Sequence, residues 1–153
     1  WNKKLYTGND PGMRSYTGFI NSNGAAPWIN KRILRYADVI LMLAEASNEM
    51  GDGETAEENL ELIRDRASGN LGADRTIVPK IAYVSQAQMR QAIKDERRWE
   101  FAMEGVRFYD LVRWGDALTV LGPLGYTNKC RFYPIPQQAI DLAGGVLTQN
   151  PEW

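Results

Sequence analysis

The feature that most constrains the fold is a pair of helical patterns separated by only four residues, 51–54. From about residue 33 to 50, charged side chains recur at helical spacing among apolar and small residues, which predicts a helix that ends at Gly51. The second pattern runs from about Thr55 to Ala67. Its apolar stripe comprises Ala56, Leu60, Ile63 and Ala67. Because the connection is so short, the two helices should pack antiparallel as a hairpin.

The same hairpin has a spacing of small and large residues that resembles a tetratricopeptide repeat. In such a repeat, small residues at Ala44 and Ala56 would allow the helices to cross closely, and Gly51 would allow the turn between them. Helical repeats bury a continuous core only by stacking on neighbouring repeats. We therefore expect part of the apolar surface between Ile33 and Ala67 to face helices outside this chain.

The rest of the chain predicts further helices joined by long coil segments. Thr55 and Glu58 have the spacing of a capping box, which predicts Thr55 as the cap of the second helix. Ser85 has a Gln at the matching position and predicts the start of a third helix, which should reach about Glu104. Two shorter helices are predicted over residues 107–114 and 137–143. No stretch gives a convincing strand pattern, so the predicted class is mainly α with no significant sheet.

This organisation divides the sequence into two regions. Residues 1–32 are broken by Gly and Pro and contain many aromatic side chains, which predicts an irregular but packed segment rather than a disordered linker. Residues 33–153 form one predicted helical region. The longest purely apolar run, 39–44, is far short of the roughly 18 residues that a membrane-spanning helix needs. The chain starts at Trp1 without a signal-peptide core, so we expect any export signal or anchor to lie in preceding sequence.

Composition excludes most catalytic and metal-binding classes. The chain contains no His, which removes Ser-His-Asp catalysis, His-ligated zinc and haem held by an axial His. Its single cysteine, Cys130, removes internal disulfides and CxxC redox chemistry. With 18 Lys+Arg against 19 Asp+Glu, no overall field attracts nucleic acid. We therefore expect no metal, no cofactor and no nucleic-acid partner, and we favour binding without catalysis.

The densest polar cluster lies in the third predicted helix, where Glu96 and Glu100 are i, i+4 neighbours on the face expected to be buried. Two carboxylates in different environments could perform acid–base catalysis. No nucleophile or metal motif accompanies them, and an uncompensated buried charge would be very costly. We therefore favour a buried ion network with arginines of the first helix. The predicted network comprises Arg35, Asp38, Glu96, Arg97 and Glu100.

Aromatic side chains are the candidate ligand platforms, because their faces can stack against sugar rings. Trp99 and Trp114 lie on amphipathic helices, which predicts that they belong to the core. Four others lie in the irregular first region and are the predicted ligand-binding residues. They are Trp1, Tyr6, Tyr16 and Trp28.

Several motifs, taken in order, resemble those of the SusD/RagB family, which are nutrient-binding lipoproteins of the Bacteroidetes outer membrane. Residues 35–46 (RYADVILMLAEA) resemble the family's helical signature. Residues 63–67 (IRDRA), 96–105 (ERRWEFAMEG) and 107–115 (RFYDLVRWG) resemble its next three motifs. Residues 133–136 (YPIP) and 149–153 (QNPEW) are similar to its closing motifs.

This resemblance implies that the chain is the C-terminal portion of a longer protein, whose tetratricopeptide-like scaffold lies mostly upstream. It implies a location on the surface of the outer membrane, anchored by an N-terminal lipid outside this fragment. Cys130 is not the lipidated cysteine, because no signal peptide precedes it. The implied partner is a SusC-like TonB-dependent transporter, and the implied ligand is a glycan or another nutrient. The shared motifs do not contain the family's variable ligand site, so the resemblance assigns no binding residue.

Three functions remain open from the sequence. The primary hypothesis is non-catalytic capture of a polysaccharide or oligosaccharide for the transporter. The alternative is a helical-repeat scaffold whose ligand is the transporter itself rather than a glycan. A carboxylate-dependent glycosidase is the third and least favoured.

Overall fold

A computed structural model describes residues 33–69 and 75–153 of the chain. The chain divides into two compact units, Trp1–Met103 and Glu104–Trp153. Unit 1 contains the three longest helices of the described part: α1 (Tyr36–Glu49), α2 (Gly53–Ala67) and α3 (Gln86–Glu100). Unit 2 contains α4 (Arg107–Arg113), α5 (Ala117–Leu121) and α6 (Gln137–Leu142), with 3-10 turns at Gly122–Leu124 and Asn128–Arg131. The described residues form no strand, which confirms the mainly α prediction.

The hairpin of α1 and α2 forms from a local turn and a row of small and large side chains. Gly51 adopts a φ of +85°, a left-handed conformation that favours glycine, and so ends α1. Leu41 and Ala44 on α1 and Ala56 and Leu60 on α2 are completely buried. The two alanines let the helix axes approach closely, and the two leucines fill the space between them.

Helix α3 packs against both helices of the hairpin and completes the core of unit 1. Met89 and Ile93 are its fully buried apolar residues. Asn48, near the end of α1, donates to the Gln86 carbonyl over 3.1 Å, and the Gln86 side chain donates to the Asn48 carbonyl over 2.8 Å. This reciprocal pair joins the start of α3 to the end of α1 and gives the backbone carbonyls of Asn48 and Gln86 a donor, which would be costly to lose.

Two predicted helix boundaries were wrong by several residues. α1 starts at Tyr36 because Arg35 is extended (φ −140°, ψ 162°), which leaves Ile33 and Leu34 outside the helix. α3 ends at Glu100 rather than near Glu104, because Phe101 leaves the helix and is buried, and Met103 then adopts a left-handed φ of +66°. α5 was not predicted at all, because a helix this short carries too little periodic signal.

The predicted cap of α2 was also wrong. The N-cap is Asp52, whose carboxylate accepts a 3.1 Å hydrogen bond from the Thr55 backbone N–H. Thr55 therefore lies within the first turn instead of preceding it. The predicted cap of α3 is confirmed, since the Ser85 hydroxyl accepts from the Gln88 N–H at 3.2 Å.

Replacing Asp52 with Ala is expected to lower the midpoint of thermal unfolding by a few degrees at neutral pH, because the cap of α2 is lost. Hydrogen bonds from Thr55 hold the pKa of Asp52 below its ordinary value. The stabilisation should therefore be complete above the unfolded pKa of about 3.9 and disappear as the pH falls through the lowered value. Asp52→Asn is the matched control, because it keeps the acceptor without the titration. A stability loss from Asp52→Ala that stays the same as the pH falls through the lowered pKa would contradict the prediction.

Unit 2 is held together by side chains from the end of the chain. Gln149 forms a reciprocal pair with the backbone of Ile135, accepting from its N–H at 2.8 Å and donating to its carbonyl at 2.9 Å. Asn150 donates to the Tyr133 carbonyl over 2.6 Å. The sequence segments 133–136 and 149–153, which carry two of the motifs, are therefore direct neighbours. Among the described residues, no helix combines the length and the apolar character needed to cross a bilayer.

Candidate functional site

The predicted ion network lies around a buried aromatic ring at the end of α3. Arg35 pairs with Glu100 through Nη1 and Oε1 and also donates to the Glu100 carbonyl over 2.8 Å. Arg97 donates to Asp38 over 2.7 Å. The guanidinium carbons of Arg35 and Arg97 lie 4.6 Å and 4.9 Å from the centre of the Phe101 ring. Cation–π contact and ion pairing therefore act on the same two arginines.

Glu96 forms a separate and more deeply buried pair. Its Oε2 accepts a 2.7 Å hydrogen bond from Arg64 of α2, and each side chain is only 6% exposed. Arg64 also donates to the Pro79 carbonyl over 2.7 Å. Burial raises the pKa of Glu96 above its ordinary value, although the hydrogen bond from Arg64 acts in the opposite direction. The structure thus places Glu96 with an arginine of the second helix, not of the first.

A ladder of side chains on α2 holds the extended segment that precedes α3. Glu57 accepts from the Tyr83 N–H at 2.6 Å, and Glu61 accepts from the Ile81 N–H at 3.0 Å. Arg64 bonds the Pro79 carbonyl in the same way. The three side chains lie about one helical turn apart on α2, and they contact every second residue of the extended segment. Two residues of extended chain rise about 6.6 Å and one helical turn rises about 5.4 Å, so the two repeats nearly match.

The ladder borders an acidic surface depression of about 410 Å³. Lys80 lies at its edge, pairs with Glu57 over 2.8 Å, and lowers the pKa of that carboxyl through this contact. Arg75 pairs with Glu61 and Asp65, which also line the depression. Three of the four carboxylates that line this depression, those of Glu57, Glu61 and Asp65, are therefore paired with basic side chains. In the residues with described positions, no group of three His, Cys, Asp or Glu side chains could hold a metal ion.

The arrangement of Glu96 and Glu100 bears on catalysis. One oxygen of Glu100 faces Arg35 and the other accepts from Arg66 over 2.5 Å. Glu96 is 5% exposed and its carboxylate is bonded to Arg64. A general acid or base must reach the substrate within hydrogen-bond distance. These two carboxylates are instead enclosed by guanidinium groups, which is the chemistry of a structural network.

The four predicted ligand-binding aromatics, Trp1, Tyr6, Tyr16 and Trp28, lie outside the described residues, so they remain a prediction. The core assignment of Trp99 was wrong, because its side chain is 60% exposed. α3 has one buried face, formed by Met89, Ile93 and Glu96, and Trp99 lies outside it.

Unit 2 has surface aromatic side chains that were not predicted as ligand platforms, and they include Trp114, which was predicted to belong to the core. Trp114 is half-buried, and the Arg113 guanidinium lies 4.6 Å from its ring centre. Trp153 is partly exposed and fixed in place, because its indole N–H donates to the Lys129 and Phe132 carbonyls, each over 3.0 Å. The Lys129 ammonium lies 4.6 Å from the Trp153 ring centre. Tyr133 is more exposed than Trp153.

The predicted ion network did not include Arg64, although Arg64 is the cation that pairs with Glu96. A signal was available, because Arg64 lies four residues after Leu60 and next to Ile63, on the predicted apolar face of α2. A charged residue on a buried face needs a buried partner of opposite charge. The same reasoning applied to Glu96 would have suggested the pair.

Comparison with known proteins identifies the relatives of this chain. The sequence pattern of the SusD family matches residues 12–129. A SusD-like protein of Formosa agariphila is 40% identical over 122 residues, which cover 74% of this chain and 22% of that protein. Another SusD-like protein of the same organism is 31% identical over 136 residues, covering 88% of this chain and 27% of that protein. The chain thus spans about a quarter of the length of the curated relatives it matches.

Two solved structures resemble the fold. A SusD homolog from Bacteroides thetaiotaomicron superimposes with a TM-score of 0.67 at 30% identity, covering 84% of this chain and 29% of that chain. A SusD-like protein from Bacteroides fragilis superimposes with a TM-score of 0.63 at 29% identity, covering 83% and 26%.

Proposed function

The chain belongs to the SusD family, and on this premise we propose that it is part of a non-catalytic binding protein that captures a glycan or another nutrient. The observation that carries the proposal is the family match over residues 12–129. The chain spans only about a quarter of its curated relatives, so the activity belongs to a longer protein that contains this portion.

The arrangement of carboxylates supports binding without catalysis. Glu96 and Glu100, the pair with the spacing for acid–base work, are each bonded to guanidinium groups. A retaining or inverting glycosidase needs two carboxylates that flank the scissile bond, one of them free to donate a proton to the leaving group. Both carboxylates instead form ion pairs that join separate elements of unit 1.

The proposed partner is a SusC-like TonB-dependent transporter at the outer membrane, with the whole protein anchored at the cell surface by an N-terminal lipid. In this role, the protein would hold the glycan above the transporter and release it for uptake. The proposed glycan contacts are aromatic stacking and side-chain hydrogen bonds in the first 32 residues, through Trp1, Tyr6, Tyr16 and Trp28.

Affinity electrophoresis of the whole protein against a panel of soluble polysaccharides tests this function. We expect retarded migration with at least one glycan and about a tenfold weaker affinity for Trp28→Ala, which corresponds to about 1.4 kcal/mol. Trp99→Ala is the matched control, because Trp99 is exposed on α3 and is not a proposed contact. Equal affinities for both variants would remove Trp28 from the site.

Two further outcomes would change the proposal. Affinity for no glycan, together with co-purification of the transporter, would favour the scaffold alternative. Glycan cleavage that is lost in Glu96→Gln would overturn the non-catalytic assignment.

A further inference from the structure

Four side chains of unit 2 bring aromatic surface and positive charge together at one turn. The 3-10 turn Asn128–Arg131 carries two basic side chains, and a phenylalanine follows it directly. The Trp153 indole bonds to this segment, although the partners are 21 and 24 residues apart in the sequence. We term the group the cationic aromatic cluster, which comprises Lys129, Arg131, Phe132 and Trp153.

The Trp153 ring is held in one position at this turn. Its indole N–H is shared between the carbonyl oxygens of Lys129 and Phe132, each 3.0 Å away. Trp153 is nevertheless 46% exposed, and Phe132 is 48% exposed. An aromatic ring that is both fixed and exposed loses little conformational freedom when a ligand packs against it.

Each aromatic ring of the cluster has a cation beside it. The Lys129 ammonium lies 4.6 Å from the centre of the Trp153 ring. The Arg131 guanidinium carbon lies 5.6 Å from the centre of the Phe132 ring. Both distances are those of a cation–π contact, which restrains two otherwise flexible side chains. A ligand that packs against Trp153 therefore meets a positive charge beside the ring.

No carboxylate within the described ranges neutralises these two cations. Lys129 and Arg131 form no ion pair with any described residue. Residues 127–136 contain no acidic side chain, and Glu152, which precedes Trp153, pairs with neither cation. The cations are therefore available to an anionic group of a ligand, with which they can form charge-assisted hydrogen bonds.

Trp114 provides a comparison within the same unit. The Arg113 guanidinium lies 4.6 Å from its ring centre, as Lys129 does from Trp153. Arg113, however, pairs with Asp110 over 2.9 Å, so its charge is satisfied within the protein. The two contacts have the same geometry and differ in whether the cation has a carboxylate partner.

The chemistry of the cluster indicates the class of its ligand. Aromatic faces pack against the C–H surfaces of sugar rings, and the exposed Asn128 amide, which bonds to no described residue, can pair with sugar hydroxyls. A neutral sugar would leave the two cations unused. A sugar that bears a carboxylate or a sulfate uses both parts of the cluster, since charge-assisted hydrogen bonds are about twice as strong as neutral ones.

We infer that the cationic aromatic cluster binds an acidic saccharide, with a sugar ring against Trp153 and its carboxylate or sulfate paired with Lys129. Arg131, two residues further along, supplies a second cation. The inference rests on the proposed function and narrows its ligand to a charged class. It places this contact in unit 2, in addition to the contacts proposed for the first 32 residues.

Isothermal titration calorimetry of the whole protein with paired polymers tests the ligand class. Polygalacturonate carries a carboxylate on each sugar, and its methyl ester has the same backbone without the charge. A sulfated galactan and its desulfated form make the second pair. We expect at least one acidic polymer to bind about tenfold more tightly than its uncharged counterpart, with an affinity that falls as salt is added. Polyglutamate, which has charge without sugar rings, should bind about tenfold more weakly than that polymer.

Lys129→Gln tests whether the cluster is the site. We expect about a fivefold weaker affinity for the acidic polymer, because one exposed ion pair is lost, and no change for the uncharged counterpart. Lys80→Gln is the matched control, because it removes the same charge from unit 1 at a side chain that is 63% exposed. It should leave both affinities unchanged.

The outcomes separate this inference from the proposed function. Equal effects of Lys129→Gln and Lys80→Gln would overturn the cluster as the site, and so would polyglutamate that binds as tightly as the acidic polysaccharide. Uncharged polymers that bind as tightly as acidic ones would overturn the inference and leave the proposed function intact. Affinity for no saccharide would overturn both.

Discussion

Replacing Arg64 with Met is expected to lower the free energy of unfolding of unit 1 by about 3–5 kcal/mol, the cost of breaking a buried ion pair by removing one partner. Arg64 is 5% exposed, and it is the guanidinium that faces Glu96. Without it, the Glu96 carboxylate is left in the core with no cation, and the Pro79 carbonyl loses its donor. Urea unfolding followed by circular dichroism measures the loss, and hydrogen exchange of peptides from α1 to α3 assigns it to unit 1.

Two further variants test whether the loss comes from the buried, unpaired charge. Arg66→Met is the matched control: Arg66 lies two residues away on α2, its side chain is 56% exposed, and its partner Glu100 retains Arg35. Its cost should stay below about 1 kcal/mol, as for other exposed ion pairs. The double variant Arg64→Met/Glu96→Met should recover most of the loss, because it removes both buried charges. Equal losses for Arg64→Met and Arg66→Met would contradict the buried-pair interpretation.

Replacing Leu60 with Ala is expected to cost about 3 kcal/mol, within the range of about 2–5 kcal/mol for truncating a buried leucine. Leu60 is completely buried at the centre of the hairpin, where Ala44 and Ala56 are also buried. These two alanines lie at the close crossing of the helices and are too small to fill the cavity. Urea unfolding of the variant should show a lower midpoint with an unchanged slope, since the surface exposed on unfolding hardly changes.

Leu62 offers a matched control for this substitution two residues along the same helix. Its side chain is 53% exposed, so Leu62→Ala should change the free energy of unfolding by no more than about 0.5 kcal/mol. The pair removes the same atoms from the same helix and differs chiefly in burial. Similar losses for both variants would show that the packing of α2 against α1 does not determine the stability of unit 1.

The helices of unit 1 were largely predictable, because their signals are local. The period of apolar residues located α1 and α2, and Ser85 located the start of α3 by its hydrogen bond to the following turn. The cap of α2 was misassigned to Thr55 because Asp52 and Thr55 can both cap a helix, and only the backbone conformation decides between them. The predicted end of α3 was wrong because Phe101 leaves the helix and contacts Arg35 and Arg97. Arg97 lies on α3 itself, whereas Arg35 directly precedes α1 and is distant in sequence.

The ion network also has features that the sequence could predict and features that it could not. The sequence identified Glu96 and Glu100 as carboxylates of a buried face, and it included Arg35, Asp38 and Arg97 among their neighbours. It did not identify Arg64, and it could not assign partners, since the ion pairs join residues 32, 59 and 65 positions apart. Which arginine pairs with which carboxylate depends on the angle at which the helices cross and on how far they are shifted along their axes.

The sequence by itself therefore determined the helical class, the hairpin and the family resemblance, because each of these depends on the spacing of residues within short stretches of the chain. Only the tertiary structure decided that Glu96 pairs with Arg64 and that α2 holds the extended segment through Glu57 and Glu61. The physical reason is that helical period fixes which side chains share a face, whereas the packing of separate elements fixes what each face meets.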